Sequence, residues 1–251
     1  MKRSNRFCRL CCRQFGAAPL ITFLTLLFMA GAARGQDRTP RDIALWFDYD
    51  PTWPLSGRLT LDVDVASRFV NSDPALWQMR LYPTLTFGPW KWLDLTGGVW
   101  FIYTNRFENS DRFETRPFVG IKLKKDIWRG IRLSDYLREE FRIQRDLDTG
   151  ETASARRLRN RIQAMIPINH RSLSQDNTWY AFVDAEWFFQ KAALVDDGFN
   201  GRRRYRAGIA WRKNSTWTYQ FFYGFQRTSA NVRAPFSNID IFSFSLIQTF
   251  K

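Results

Sequence analysis

Four arginines crowd into NGRRRYRAGIAW (Asn200–Trp211), at Arg202, Arg203, Arg204 and Arg206. Three more alternate at Arg157, Arg159 and Arg161, and a mixed set, Arg138, Glu140 and Arg142, repeats that spacing. Asp184 and Glu186, also two apart, lie between the two arginine runs. Guanidinium forks bind phosphate or carboxylate in a bidentate manner. Such residues serve nucleic-acid binding, a basic targeting signal, or ion pairing across a charged interior. Side chains two apart share a face only on a β-strand. Arg202, Arg204 and Arg206 therefore face one way and Arg203 the other.

Other chemistry is sparse. The chain has one histidine, His170, in PINHRSLSQDN, with Ser172 and Asp176 close in sequence. A catalytic triad is defined by geometry rather than by sequence proximity, and a lone histidine is a poor basis for a transition-metal site. The stretch reads as a solvated turn. The pairs Asp62/Asp64 and Asp184/Glu186 suit calcium or acid–base work in principle. Two residues apart on strands that also carry arginines, they are expected to pair with arginine. No glycine-rich phosphate loop is evident. The expectation is a non-enzymatic protein with no catalytic residue, no metal and no cofactor.

These side chains need elements to position them, and the chain alternates throughout. GRLTLDVDV sets Leu59, Leu61, Val63 and Val65 against Arg58, Thr60, Asp62 and Asp64. NTWYAFVDAEWFF and TWTYQFFYGF behave alike. Period two marks strands. Ten are expected, near 57–67, 76–87, 92–104, 113–124, 133–145, 156–166, 178–190, 202–212, 216–227 and 240–250. Glu139 is a misfit on an apolar face and suggests a bulge or a wrong frame. IALWFDYD (Ile43–Asp50) is a possible further strand, which would make twelve.

The N-terminus reads differently. Lys2, Arg3, Arg6, Arg9 and Arg13 precede the apolar run Leu20–Ala30, and Ala33 and Gly35 offer small residues before Gln36. This is the pattern of a cleaved secretory signal over 1–35. Its removal takes six positive charges and no acids, lowering the net charge from +14 to +8, and takes all three cysteines, Cys8, Cys11 and Cys12. An exported chain makes a nucleic-acid role for the arginines untenable. Aromatic content of 17% beside 25% charged residues excludes a disordered chain.

Ten strands of about ten residues match tilted membrane-spanning strands. Aromatics sit near the ends of the apolar stripes, as at Trp77 and Phe87, Trp179 and Phe189, Tyr205 and Trp211, and Trp217 and Phe225. The chain closes on IDIFSFSLIQTFK, where Phe242, Phe244, Leu246 and Phe250 share a face. This favours an all-β transmembrane antiparallel barrel over 57–251, apolar outside, with an Arg/Glu/Asp-rich lumen and a periplasmic lead-in over 36–56. Short turns are expected on the periplasmic side and longer loops outside. A hairpin centred on Val195–Asp197 would set Glu186 opposite Arg206.

EEFRIQR (Glu139–Arg145), RLRNRIQAMIP (Arg157–Pro167), FVDAEWFF (Phe182–Phe189) and RRRYRAGIAW (Arg202–Trp211) together resemble the outer-membrane barrel family filed as domain of unknown function 2490. The resemblance spans roughly 40–250 and implies an outer-membrane barrel without implying an activity. The expected function is a Gram-negative outer-membrane barrel whose lumen holds an arginine–carboxylate ladder, acting structurally or as a narrow anion-biased channel. The ladder comprises Arg138, Glu140, Arg142, Arg157, Arg159, Arg161, Asp184, Glu186, Arg202, Arg204 and Arg206. An enzyme acting on lipid or lipopolysaccharide is the alternative. Expected partners are outer-membrane lipid, lipopolysaccharide and the barrel-assembly machinery; the oligomeric state stays open.

Overall fold

A computed structural model describes residues 41–71, 76–106, 109–191, 202–227 and 238–251. The expected signal segment and the hairpin centre expected at Val195–Asp197 lie outside them. Eleven strands close into one barrel: β1 (Asp42–Pro54), β2 (Leu59–Asn71), β3 (Leu76–Trp90), β4 (Leu93–Arg106), β5 (Asn109–Asp126), β6 (Arg132–Asp146), β7 (Thr152–Pro167), β8 (Thr178–Lys191), β9 (Arg203–Arg212), β10 (Trp217–Arg227) and β11 (Asn238–Thr249). The ten expected strands correspond to β2–β11.

The count is eleven, neither ten nor twelve: β1 adds one strand where a lead-in, with a possible strand at Ile43–Asp50, is expected. Ala44 and Trp46 point inward while Ile43, Leu45 and Phe47 point outward. Consecutive strands pair antiparallel, so an odd number leaves the first and last running the same way. Accordingly β1 pairs parallel with β11, from Asp42 opposite Ile239 to Thr52 opposite Thr249. Asp42 and Thr249 therefore lie at opposite ends of the barrel. The ends are called here the N-end and the C-end. Connections 55–58, 91–92, 127–131, 168–177 and 213–216 lie at the C-end. The connection between β4 and β5 at the N-end is as short as that between β3 and β4 at the C-end. Loop length thus separates the two ends less sharply than expected.

The charged face is inside. Arg138, Glu140, Arg142, Arg157, Arg159, Asp184 and Glu186 are buried, whereas Leu81, Leu85, Val119, Ile121, Leu137, Ile143, Ile162 and Phe244 are exposed. At the outer C-end, aromatic rings stack: Trp53 on Phe250 at 5.0 Å, Trp90 on Trp92 at 5.4 Å and Trp179 on Trp211 at 5.6 Å between centroids. Towards the N-end, Phe69, Trp77 and Tyr103 form a second run, with Phe101 beside Phe113. Glu139 marks neither a bulge nor a wrong frame. The β6–β7 register runs straight through it, and on the outer face it accepts a hydrogen bond from Arg156 Nε at 3.1 Å. Asp135, also on the outside, accepts from Asn160 Nδ2 at 2.6 Å.

Candidate functional site: the arginine-lined lumen

The expected ladder residues converge on the lumen because β6, β7, β8 and β9 are sequential neighbours with alternate residues inward. Glu140 is the hub, with no exposed surface. Its carboxylate pairs with Arg157 at 2.6 Å, Arg159 at 2.8 Å, Arg138 at 2.9 Å and Arg116 at 3.5 Å. Arg138 and Arg159 are direct cross-strand neighbours. Like charges so placed repel, and Glu140 Oε1 between them offsets the repulsion. Glu186 joins β7 to β9: Arg159 donates to Oε1 and Arg204 Nη1 to Oε2 at 3.2 Å. Arg206 Nε donates to Asp184 Oδ1 at 2.8 Å.

The β8–β9 register corrects the expected pairing. Asp184, not Glu186, lies opposite Arg206, and Glu186 lies opposite Arg204. The physical reason is that the two registers differ by two residues, which leaves every side chain on the same face, so the alternation that fixes the faces cannot choose between them. Arg161 makes no ion pair with a carboxylate among the described residues; it faces the cavity, with its guanidinium 5.7 Å from the Tyr136 ring. Arg202 precedes β9, is buried and lines the same cavity.

Several residues escaped the sequence reading. Glu114 and Arg116 on β5 extend the network: Arg142 Nε donates to Glu114 at 2.6 Å and Arg116 Nε at 2.9 Å. RFETRPF (Arg112–Phe118) carries the same two-residue spacing of charge as β6 and β7, so a signal was present. Arg68 and Arg80 also face inward. Arg68 lies 3.7 Å over the Trp46 ring and 3.6 Å from Asp48. Arg138 similarly covers Trp100 at 4.0 Å. A guanidinium on a ring face gains attraction while keeping its edge free for anions.

The pairs Asp62/Asp64 and Asp184/Glu186 part company. Asp184 and Glu186 pair with arginine as expected. Asp62 instead accepts from Thr52 Oγ1 at 2.8 Å and Thr86 Oγ1 at 3.4 Å. It stands on the β1–β2 wall, away from the β6–β9 arginines. His170 is exposed in the 168–177 turn, and Ser172 Oγ meets Ser174 Oγ at 2.8 Å rather than the imidazole.

The inward side chains of the N-end half surround a cavity of about 310 Å³. Twelve of its lining residues are arginines and two, Asp64 and Glu114, are acidic. Glu140 and Glu186 lie behind the guanidiniums, so the wall facing the cavity is predominantly cationic. Trp46, Tyr82 and Trp100 line it, each packed on further rings. Trp100 packs on Tyr82 at 4.2 Å and Phe118 at 5.5 Å; Phe222 packs on Trp46 at 6.1 Å and Phe182 at 6.2 Å. Two glycines make room for these rings. A Cβ on Gly98 would fall 2.9 Å from Phe118 Cε1, and one on Gly208 would fall 2.6 Å from Phe182 Cζ.

Comparison with curated proteins and with solved structures finds no match to this chain. A family model does match, over residues 43–235, from β1 through β10 and into the segment before β11. The arginine-laddered barrel thus belongs to the family described as Protein of unknown function (DUF2490).

Proposed function

We propose that this protein is a non-enzymatic outer-membrane barrel of a Gram-negative bacterium, with a charged lumen that admits anions in preference to cations. One observation carries the reading: the barrel is apolar outside, between two aromatic runs, and cationic inside. From Trp77 to Phe87, β3 rises about 25 Å at the usual strand rise and barrel tilt. That height matches the apolar band of an outer-membrane barrel. In this setting the exterior meets lipid and lipopolysaccharide, and insertion uses the barrel-assembly machinery. The C-end, with the chain terminus, is periplasmic.

Inside, arginines outnumber carboxylates at the cavity wall. A cleft lined by one sign of charge between low-dielectric walls concentrates the opposite sign. With the aromatic rings narrowing the path, small anion-selective conductance, or none, is expected. The test is fractionation followed by reconstitution. The mature protein should sediment with outer membranes, resist carbonate extraction, and show in planar bilayers either no current or anion-selective current. Recovery as a soluble periplasmic protein, or preference for cations, overturns the reading.

A further inference from the structure

The N-end cavity contains more positive charge than its carboxylates balance. Arg80 donates Nη1 to Tyr82 Oη at 2.9 Å and Nε to Gln78 Oε1 at 3.0 Å, so its partners are neutral. Its charged neighbours are the cations Arg68 and Arg116 and the carboxylate of Asp64, with which it makes no ion pair. Arg161 makes no ion pair among the described residues: Arg159 and Arg204 occupy the oxygens of Glu186, and Arg206 and Gln163 those of Asp184. Arg112 likewise lines the cavity without an ion pair among the described residues.

Holding guanidiniums together in a partly desolvated lumen is unfavourable unless an anion compensates them. The protein's own acids do not balance them: Glu114, Glu140, Asp184 and Glu186 are paired with other arginines, and Asp64 is a single carboxylate lying near both Arg68 and Arg80. Neutral Gln78 and Tyr82 nevertheless hold Arg80 in a defined place. Such a fork, fixed but without an ion pair, is organised for an external oxyanion. The cavity volume, about 310 Å³, is at the small end of ligand pockets and equals roughly ten water molecules at liquid density. A compact ligand fits and a long chain does not.

Resting on the reading that the lumen prefers anions, we infer that this cavity is a saturable binding site for a compact multivalent oxyanion, a phosphate or polycarboxylate, gripped by Arg80 and Arg161. Gln78 and Tyr82 are positioning residues for Arg80.

The experiment uses the full mature protein in detergent, titrated by calorimetry with pyrophosphate and with citrate. Chloride and acetate at matched ionic strength are the comparators. Saturable one-to-one binding is expected for pyrophosphate, citrate or both, and the two arms decide between phosphate and carboxylate chemistry. Arg161→Gln should weaken binding at least tenfold. Because it removes an uncompensated charge, it should leave the ligand-free melting temperature unchanged or raised, which a merely structural arginine would not do. Arg80→Gln should weaken binding similarly, and Arg156→Gln on the outer face should not. Folded protein that binds no multivalent anion, binds acetate equally well, or is indifferent to Arg161→Gln overturns the inference. Bilayer recording separates it from the broader reading: anion-selective current without saturable binding refutes the site alone, whereas binding without current sustains the site and removes the channel.

Discussion

Arg161 lies directly across the β7–β8 ladder from Glu186, yet does not pair with it. Glu186 turns its oxygens to Arg159 on one side and Arg204 on the other. Cross-strand opposition brings β-carbons within about 5 Å, but long side chains lean along the strand and choose among diagonal neighbours. In a lumen with more guanidiniums than carboxylates, some arginines are left without an acid. The network is therefore both a strut and a source of unbalanced charge.

The hub of the strut should be the most sensitive position. Glu140→Gln leaves Arg138, Arg157 and Arg159 without the carboxylate they share, and breaking a buried pair costs about 3–5 kcal/mol. The expected outcome is a clear fall in melting temperature of the detergent-solubilised barrel by circular dichroism. Adding Arg157→Gln should recover part of the loss, because one uncompensated cation is then gone.

The β8–β9 register makes a sharper prediction. Asp184→Arg should impair assembly by placing a cation opposite Arg206, and the reversal Asp184→Arg with Arg206→Asp should restore it. Glu186→Arg with Arg206→Glu should restore little, since those residues are not direct partners. Yield of folded barrel in outer membranes is the measurement.

Barrel closure depends on the parallel seam. Deleting Asp42–Pro54 exposes the unpaired edges of β2 and β11 to aggregation. A barrel complete without this segment would tolerate the deletion. Loss of monomeric, cooperatively unfolding protein is expected, read by size-exclusion chromatography and thermal melting.

His170→Ala should change neither assembly nor membrane lipid composition, because the imidazole is exposed in a turn with no hydrogen bond to Ser172 or Asp176. A variant that assembles normally yet reproduces the lipid profile of a deletion strain would restore the enzymatic alternative.

Local alternation by itself determined ten of the eleven strands and which face of each is charged; strand length and the aromatic ends of the apolar stripes, not alternation, put that face inside. Period-two patterning is a property of neighbouring residues and needs no fold to be read. Three things required the closed structure. The strand count turned on β1, whose inward residues, Ala44, Trp46 and Asp48, show no clear polar face, and whose pairing with β11 joins the first strand of the barrel to the last. Pairing within the ladder turned on stagger between strands, which moved Arg206 from Glu186 to Asp184 and left Arg161 without a carboxylate. The cavity turned on Glu114, Arg116, Arg68 and Arg80 arriving from β5, β2 and β3. Arg68 and Arg80 are unremarkable on their own strands, and the spacing of Glu114 and Arg116 does not show their partners; only closure of the sheet sets the four in one volume, because charge balance in a lumen is a sum over walls that lie far apart in sequence.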